Sequence, residues 1–160
     1  MKFEIPESLK AEHEELNEEL AGAVKVRGKV GSAAKKDAEV LHPHFGSEGE
    51  FVLPPLGLLR ILPTKKVDLE MKEVLDTTNR LKSEFGRMLE EHKAIALALE
   101  DLAKVARKEK KMEYVMFAEK LKLHALNEEE VLYLASLLIG EYVEIRTEWM
   151  VYEHHSAGCC

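Results

Sequence analysis

Two histidine–glutamate pairs, His44 with Glu48 and His124 with Glu128, repeat one spacing of four residues. On a helix that spacing puts both side chains on one face, a turn apart. His124 and Glu128 also sit inside a longer pattern: Tyr114, Phe117, Leu121, His124, Glu128, Val131, Ala135, Leu138 and Tyr142 fall three to four residues apart and line one helical face. Seven of these nine are apolar or aromatic, so the face reads as buried. A carboxylate there is costly unless something neutralises it. An imidazole one turn away, aimed the same way, is the pairing that a helix offers a metal in a bundle core.

Other segments must then bring matching groups to the same place. The first candidate helix starts near Pro6 and Glu7, with a stripe of Leu9, His13, Leu16, Leu20 and Val24. Its stop is expected at Gly31-Ser32, with Ser32 capping the next helix. The second segment, residues 32–62, is the least regular. Pro43 removes a backbone donor and is expected to kink or restart the helix, and Gly46, Gly49 and Pro54-Pro55 weaken or end it. The third segment, residues 67–108, carries Val74, Leu81, Phe85, Met88, His92, Ile95, Leu99, Leu102 and Ala106 on one face. After a charged turn at residues 108–111 comes the fourth helix, expected to end near residues 140–146. Residues 1–147 are therefore assigned to one helical domain and residues 148–160 to a mobile tail. His92 and His124 lie roughly 18 and 14 residues from the intervening turn, which at ~1.5 Å per residue leaves them within ~6 Å of the same height.

Composition bounds the function. At 160 residues the chain is one domain of ordinary size. Its formal charge of -7 argues against nucleic acid or an anionic membrane as the main partner. Aromatics are only 6% and Leu, Ala, Glu and Lys dominate, which favours an all-α fold. No apolar run approaches ~20 residues, so no membrane span is expected, and no secretory leader is read at the start. The two cysteines, Cys159 and Cys160, are adjacent and cannot staple a fold. Their scarcity suits a reducing cytoplasm. With His154 and His155 they could hold a soft metal, form a redox pair or serve as a lipidation signal; a mobile tail is the plainer reading.

The expected ligand set is His13, His44, Glu48, His92, His124 and Glu128. Singly, each has an ordinary explanation as a satisfied core histidine or an exposed acid. Imidazole plus carboxylate without thiolate suits iron, and to a lesser degree manganese or zinc. Two bridging glutamates and four histidines give each of two metals four protein bonds and leave room for a small ligand. His42 competes with His44, and Glu128 is in phase with the stripe.

The order of a lone His, His-x-x-x-Glu, Glu-His and His-x-x-x-Glu-Glu resembles the hemerythrin-like family, also called HHE cation-binding domains. His44-Phe-Gly-Ser-Glu48 through Val52-Leu53-Pro54 is similar to its second-helix motif. Glu91-His92 is similar to the third, and His124-Ala-Leu-Asn-Glu128-Glu129 through Val131-Leu132-Tyr133 to the fourth. The likeness covers residues 6–142. It implies an up-down-up-down antiparallel four-helix bundle around a centre of two iron ions, bridged by oxide or hydroxide and held by those six residues. Respiratory members carry an additional histidine one turn after the third-helix histidine; here that position is Ala96. Their fourth-helix carboxylate lies five residues after the histidine, not four, which makes Glu129 a rival to Glu128; Glu128 is preferred because it is in phase with the stripe. The expected role is a cytoplasmic protein that binds or senses dioxygen, another small diatomic or peroxide, or handles iron. A homodimer is compatible with the sequence. The alternatives are a di-iron redox enzyme acting on peroxide, oxygen or nitric oxide, and a metal-free helical interaction module. In the enzyme reading Tyr114 and Tyr133 are candidate redox residues, although packing suffices to explain both.

Overall fold

In the computed structural model, which describes residues 3–156, the first helix begins where Pro6 fixes an extended backbone. The Pro6 carbonyl accepts from the amides of Leu9 and Lys10, and Glu7 favours the positive end of the helix dipole. This helix, α1, spans Glu7–Val24 and buries His13, Leu16, Leu20 and Ala23. It ends earlier than the Gly31-Ser32 stop expected from sequence. The corner falls at Gly28, whose φ of +96° a side chain would strain. Helix α2 (Lys29–Ser47) therefore contains Gly31, packed so closely on the Val26 carbonyl that any Cβ there would collide with it.

Pro43 does not restart the helix as one of the two expectations had it: α2 continues through it to Ser47. The proline lies on the exposed side, where the backbone donor it lacks opens no gap in the core. Helix α2 passes directly into a π-helical turn, Glu48–Val52, closed by Leu53 N–H donating to the Glu48 carbonyl at 2.9 Å. Pro54–Arg60 then forms a 3-10 segment that buries Pro55, Leu56 and Leu58. A second 3-10 segment, Leu69–Glu73, is capped by Asp68 accepting from the Met71 amide. It leads into α3 (Val74–Lys108), followed by α4 (Met112–Asn127), another π-helical turn (Glu128–Leu132) and α5 (Tyr133–Ser156). Among the described residues the chain is all-helical, and no helix is long and apolar enough to cross a membrane.

Cross-helix contacts fix the registers. Glu12 meets His124 and Glu19 meets Lys120 between α1 and α4. His92 of α3 meets Glu129 of the π turn that follows α4, and Glu100 of α3 meets Lys122 of α4. Glu50 meets Arg80, and Lys82 meets Glu141. Helix α5 closes on α3 at Gly140, where a Cβ would collide with the Thr78 side chain. Helix α5 also runs to Ser156, past the expected end at residues 140–146, because Val143 and Thr147 continue its buried face. The expected tail, residues 148–160, is thus helical as far as 156, and its last four residues, including Cys159 and Cys160, lie outside the described part.

The core has two apolar clusters. One gathers Leu16, Leu20, Leu41, Leu99, Leu102, Phe117 and Leu121 with their neighbours. The other gathers Phe51, Leu53, Leu56, Met71, Leu81, Met88 and Tyr133. In each helix the polar candidate residue stands at the junction: Glu48 before Phe51, His92 between Met88 and Ile95, and His124 and Glu128 between Leu121 and Tyr133.

Candidate metal centre

All six candidate residues converge at this junction, and all are buried. Helix α1 supplies His13, α2 His44, α3 His92 and α4 His124; Glu48 and Glu128 are each the first residue of a π-helical turn. The two His-x-x-x-Glu pairs close as helical geometry requires. His44 Nε2 is 3.1 Å from Glu48 Oε1, and His124 Nε2 is 3.0 Å from Glu128 Oε1.

The atoms sort into two overlapping sets, His44, Glu48, His92 and Glu128, and His13, His124 and Glu128, each with one atom per residue within 4.8 Å of the others. Each carboxylate faces both histidine pairs. Glu128 Oε1 lies 3.2 Å from His13 Nε2, while its Oε2 lies 3.4 Å from His92 Nε2. Glu48 Oε1 lies near His44 and His92, while its Oε2 lies 3.9 Å from His13 Nε2.

Glutamates on neighbouring helices fix the imidazoles. His44 Nδ1 donates to Glu91 at 2.9 Å, His92 Nδ1 to Glu129 at 2.9 Å, and His124 Nδ1 to Glu12 at 3.0 Å. With Nδ1–H held outward, Nε2 presents its lone pair inward, as in metal-ligating histidines. Glu91 is itself paired with Arg87. The pattern is exchanged between helices. Glu12 is adjacent to His13 but supports His124, and Glu91 is adjacent to His92 but supports His44.

Two features show that a cation fits. Glu48 Oε2 is buried with no hydrogen-bond partner, a costly state for a carboxylate oxygen. The Nε2 atoms of His13 and His124 face each other at 3.2 Å, which needs a proton or a metal between two lone pairs. Protons can fill this role when no metal does. Burial lowers the His92 pKa, but Glu128 and Glu48 outweigh it and raise it to about 10. For His124, Glu128 and Glu12 likewise outweigh burial and raise the pKa to about 9. Burial raises Glu128, yet the surrounding histidines, His124 first, hold it well below the usual carboxylate range.

The alternatives that the sequence leaves open differ in burial and placement. His42 is exposed and His44 is buried. Glu128 points into the junction, while Glu129 sits at its edge on His92 Nδ1. The expected continuation of the stripe fails, however. Val131, Leu138 and Tyr142 are exposed, and Tyr133, Ser136, Ile139 and Val143 are buried instead. The cause is the π turn, in which Tyr133 N–H donates to the Glu128 carbonyl five residues back. The extra residue rotates everything after it. Tyr133 thereby enters the site, with its hydroxyl 2.6 Å from Glu48 Oε1, 3.1 Å from His92 Nε2 and 3.4 Å from His44 Nε2. The sequence reading missed Glu12 and Glu91 as imidazole partners. Their adjacency to His13 and His92 was the available signal. Tyr114 is partly buried against the first apolar cluster.

Beside the junction, α3 and α4 leave a groove of about 310 Å³ lined by His92, Ala96, Leu99, Ala125, Leu126 and Glu129. The small Ala96 side chain lines this groove beside His92. No family model, curated protein or solved structure matches this chain.

Proposed function

We propose that this protein is a hemerythrin-like di-iron protein that binds or senses dioxygen, or handles iron, in the cytoplasm. The observation that carries the reading is the divided aim of Glu48 and Glu128. Each directs one oxygen towards each histidine pair, the disposition of carboxylates that bridge two metals. The cross-helix contacts support an up-down-up-down bundle in which α4, the π turn and α5 form one rod. His13 and His124 would hold one metal and His44 and His92 the other. The donor set is imidazole and carboxylate without thiolate, which suits iron, with manganese or zinc as alternatives. When bound, a pair of irons supplies one-electron redox chemistry and open positions for a small oxygen-containing ligand.

The chain's own residues set the conditions for that chemistry. Glu12, Glu91 and Glu129 hold the imidazole rings in one tautomer and raise their basicity. The two apolar clusters keep bulk water out. The groove over Ala96 brings solvent to the edge of His92. The test is elemental analysis of anaerobically purified or ferrous-reconstituted protein, followed by visible spectra as air is admitted. About two irons per chain and new visible bands on oxygenation support the reading. Reversal on removing oxygen favours a carrier or sensor, and irreversible oxidation favours iron handling. A chain that takes up no metal refutes it.

A further inference from the structure

Tyr133 is fully buried, and its hydroxyl meets three atoms of the site. Glu48 Oε1, an acceptor, lies at 2.6 Å, and the Nε2 atoms of His92 and His44 lie at 3.1 and 3.4 Å. Glu91 and Glu129 hold the Nδ1–H groups of the two imidazoles, so a proton gained by either ring sits on Nε2 and faces the phenolic oxygen. When a metal displaces those protons, both nitrogens present lone pairs beside an oxygen whose single proton is directed at Glu48.

These separations have a simple interpretation. Neighbouring ligands around an octahedral metal with bonds of ~2.1 Å are about 3 Å apart. Tyr133 Oη to His92 Nε2 is 3.1 Å, Tyr133 Oη to His44 Nε2 is 3.4 Å, His44 Nε2 to Glu48 Oε1 is 3.1 Å, and His92 Nε2 to Glu128 Oε2 is 3.4 Å. The tyrosine oxygen stands from both nitrogens at the separation of neighbouring ligands. The Tyr133 ring is stacked on His92 at 5.4 Å and 26° and flanked by Phe85, so the hydroxyl has little freedom to turn away.

We infer that Tyr133 is a protein ligand to the metal held by His44 and His92. The inference rests on the two-metal reading above. On binding, the Tyr133 O–H bond breaks, an oxygen–metal bond forms, and the proton leaves to solvent; no oxidation state changes. The two metals then differ. The His44/His92 metal has His44, His92, Glu48, Glu128 and Tyr133, whereas the His13/His124 metal has His13, His124, Glu128 and Glu48. The more open His13/His124 side is where an added small ligand binds. A hard anionic oxygen also biases the tyrosine-bound site towards ferric iron.

The experiment loads wild type and Tyr133→Phe with ferrous iron, oxidises both, and measures iron per chain and resonance Raman spectra excited in the visible band. The expected wild type holds about two irons and shows tyrosinate ring modes with a phenolate-to-ferric charge-transfer band. Tyr133→Phe loses the band and the modes, while Tyr114→Phe keeps them. Two irons per chain in wild type without tyrosinate modes overturns the ligand assignment and leaves the two-metal reading standing. The same holds if the modes persist in Tyr133→Phe. A wild type that binds no iron overturns both. The wild-type Raman signature is decisive even if Tyr133→Phe folds poorly.

Discussion

Replacing Asp37 by asparagine should make the protein more stable at neutral pH, by an amount that grows with pH. Asp37 lies on α2 between Ala34 and Leu41 of the first apolar cluster and is 1% exposed. Neither carboxylate oxygen has a hydrogen-bond partner. Burial, and secondarily the charge of Asp101, raise its pKa from an ordinary 3.8 to about 7. The folded state thus holds this proton more tightly than the unfolded chain does. No penalty exists below pH ~4; it accumulates as pH rises and is complete above pH ~7. The full cost is about 4 kcal/mol, from about 1.36 kcal/mol for each tenfold change in proton affinity. Asparagine keeps the shape and cannot ionise. The stability gap between Asp37→Asn and wild type should therefore widen by about 2.5 kcal/mol between pH 5 and pH 8. Urea unfolding of both metal-stripped proteins across that range measures it, since all other titrating groups cancel in the difference. A gap that stays constant with pH would refute the assignment of Asp37 as a buried, unpaired acid.

His124→Ala should lower iron from about two per chain to one or none while far-UV circular dichroism still reports a helical protein; retention of two irons would count against the two-metal reading. Loading ferrous iron at pH 7 should release protons and weaken as pH falls, because the metal competes with protons held by His92 and His124; pH-stat titration reads the release directly. The same raised pKa values stabilise the stripped protein below the unfolded histidine value near 6.5, and that support is lost as pH rises through about 9 to 10. Thermal unfolding of stripped protein at pH 7 and pH 10 checks the sign, with the loaded protein expected to lose less. Gly140→Ala should cost about 1–3 kcal/mol, because its Cβ would run into Thr78. Denaturation of Gly140→Ala alone and with Thr78→Ala tests it, and the second change should recover much of the loss.

The part of the site that sequence discloses is the part governed by the ordinary helical period. His13, His92 and His124 each replace an apolar residue in an otherwise regular stripe, so their inward direction follows from spacing alone. His44 and Glu48 were harder to place, because Pro43, Gly46 and Gly49 weaken a helix wherever they stand. In the structure Pro43, Gly46 and Gly49 are all on the exposed side of the second helical segment, and Gly46 and Gly49 have open space around them. Their cost stays local. The π turns left no comparable mark. One extra residue in a hydrogen-bonded turn changes no composition, and Val131, Leu138 and Tyr142 are apolar enough to imitate a buried face while being 52%, 69% and 45% exposed. The two turns fall at equivalent places, each starting on the glutamate of a His-x-x-x-Glu pair. That coincidence ties them to the site rather than to chance irregularity. A regular α-helix after Glu128 would carry Tyr133 off the junction. The inserted residue keeps the glutamate one turn from its histidine and then brings the tyrosine onto the same centre, so the feature that defeats periodicity is also the one that adds an oxygen donor to the site.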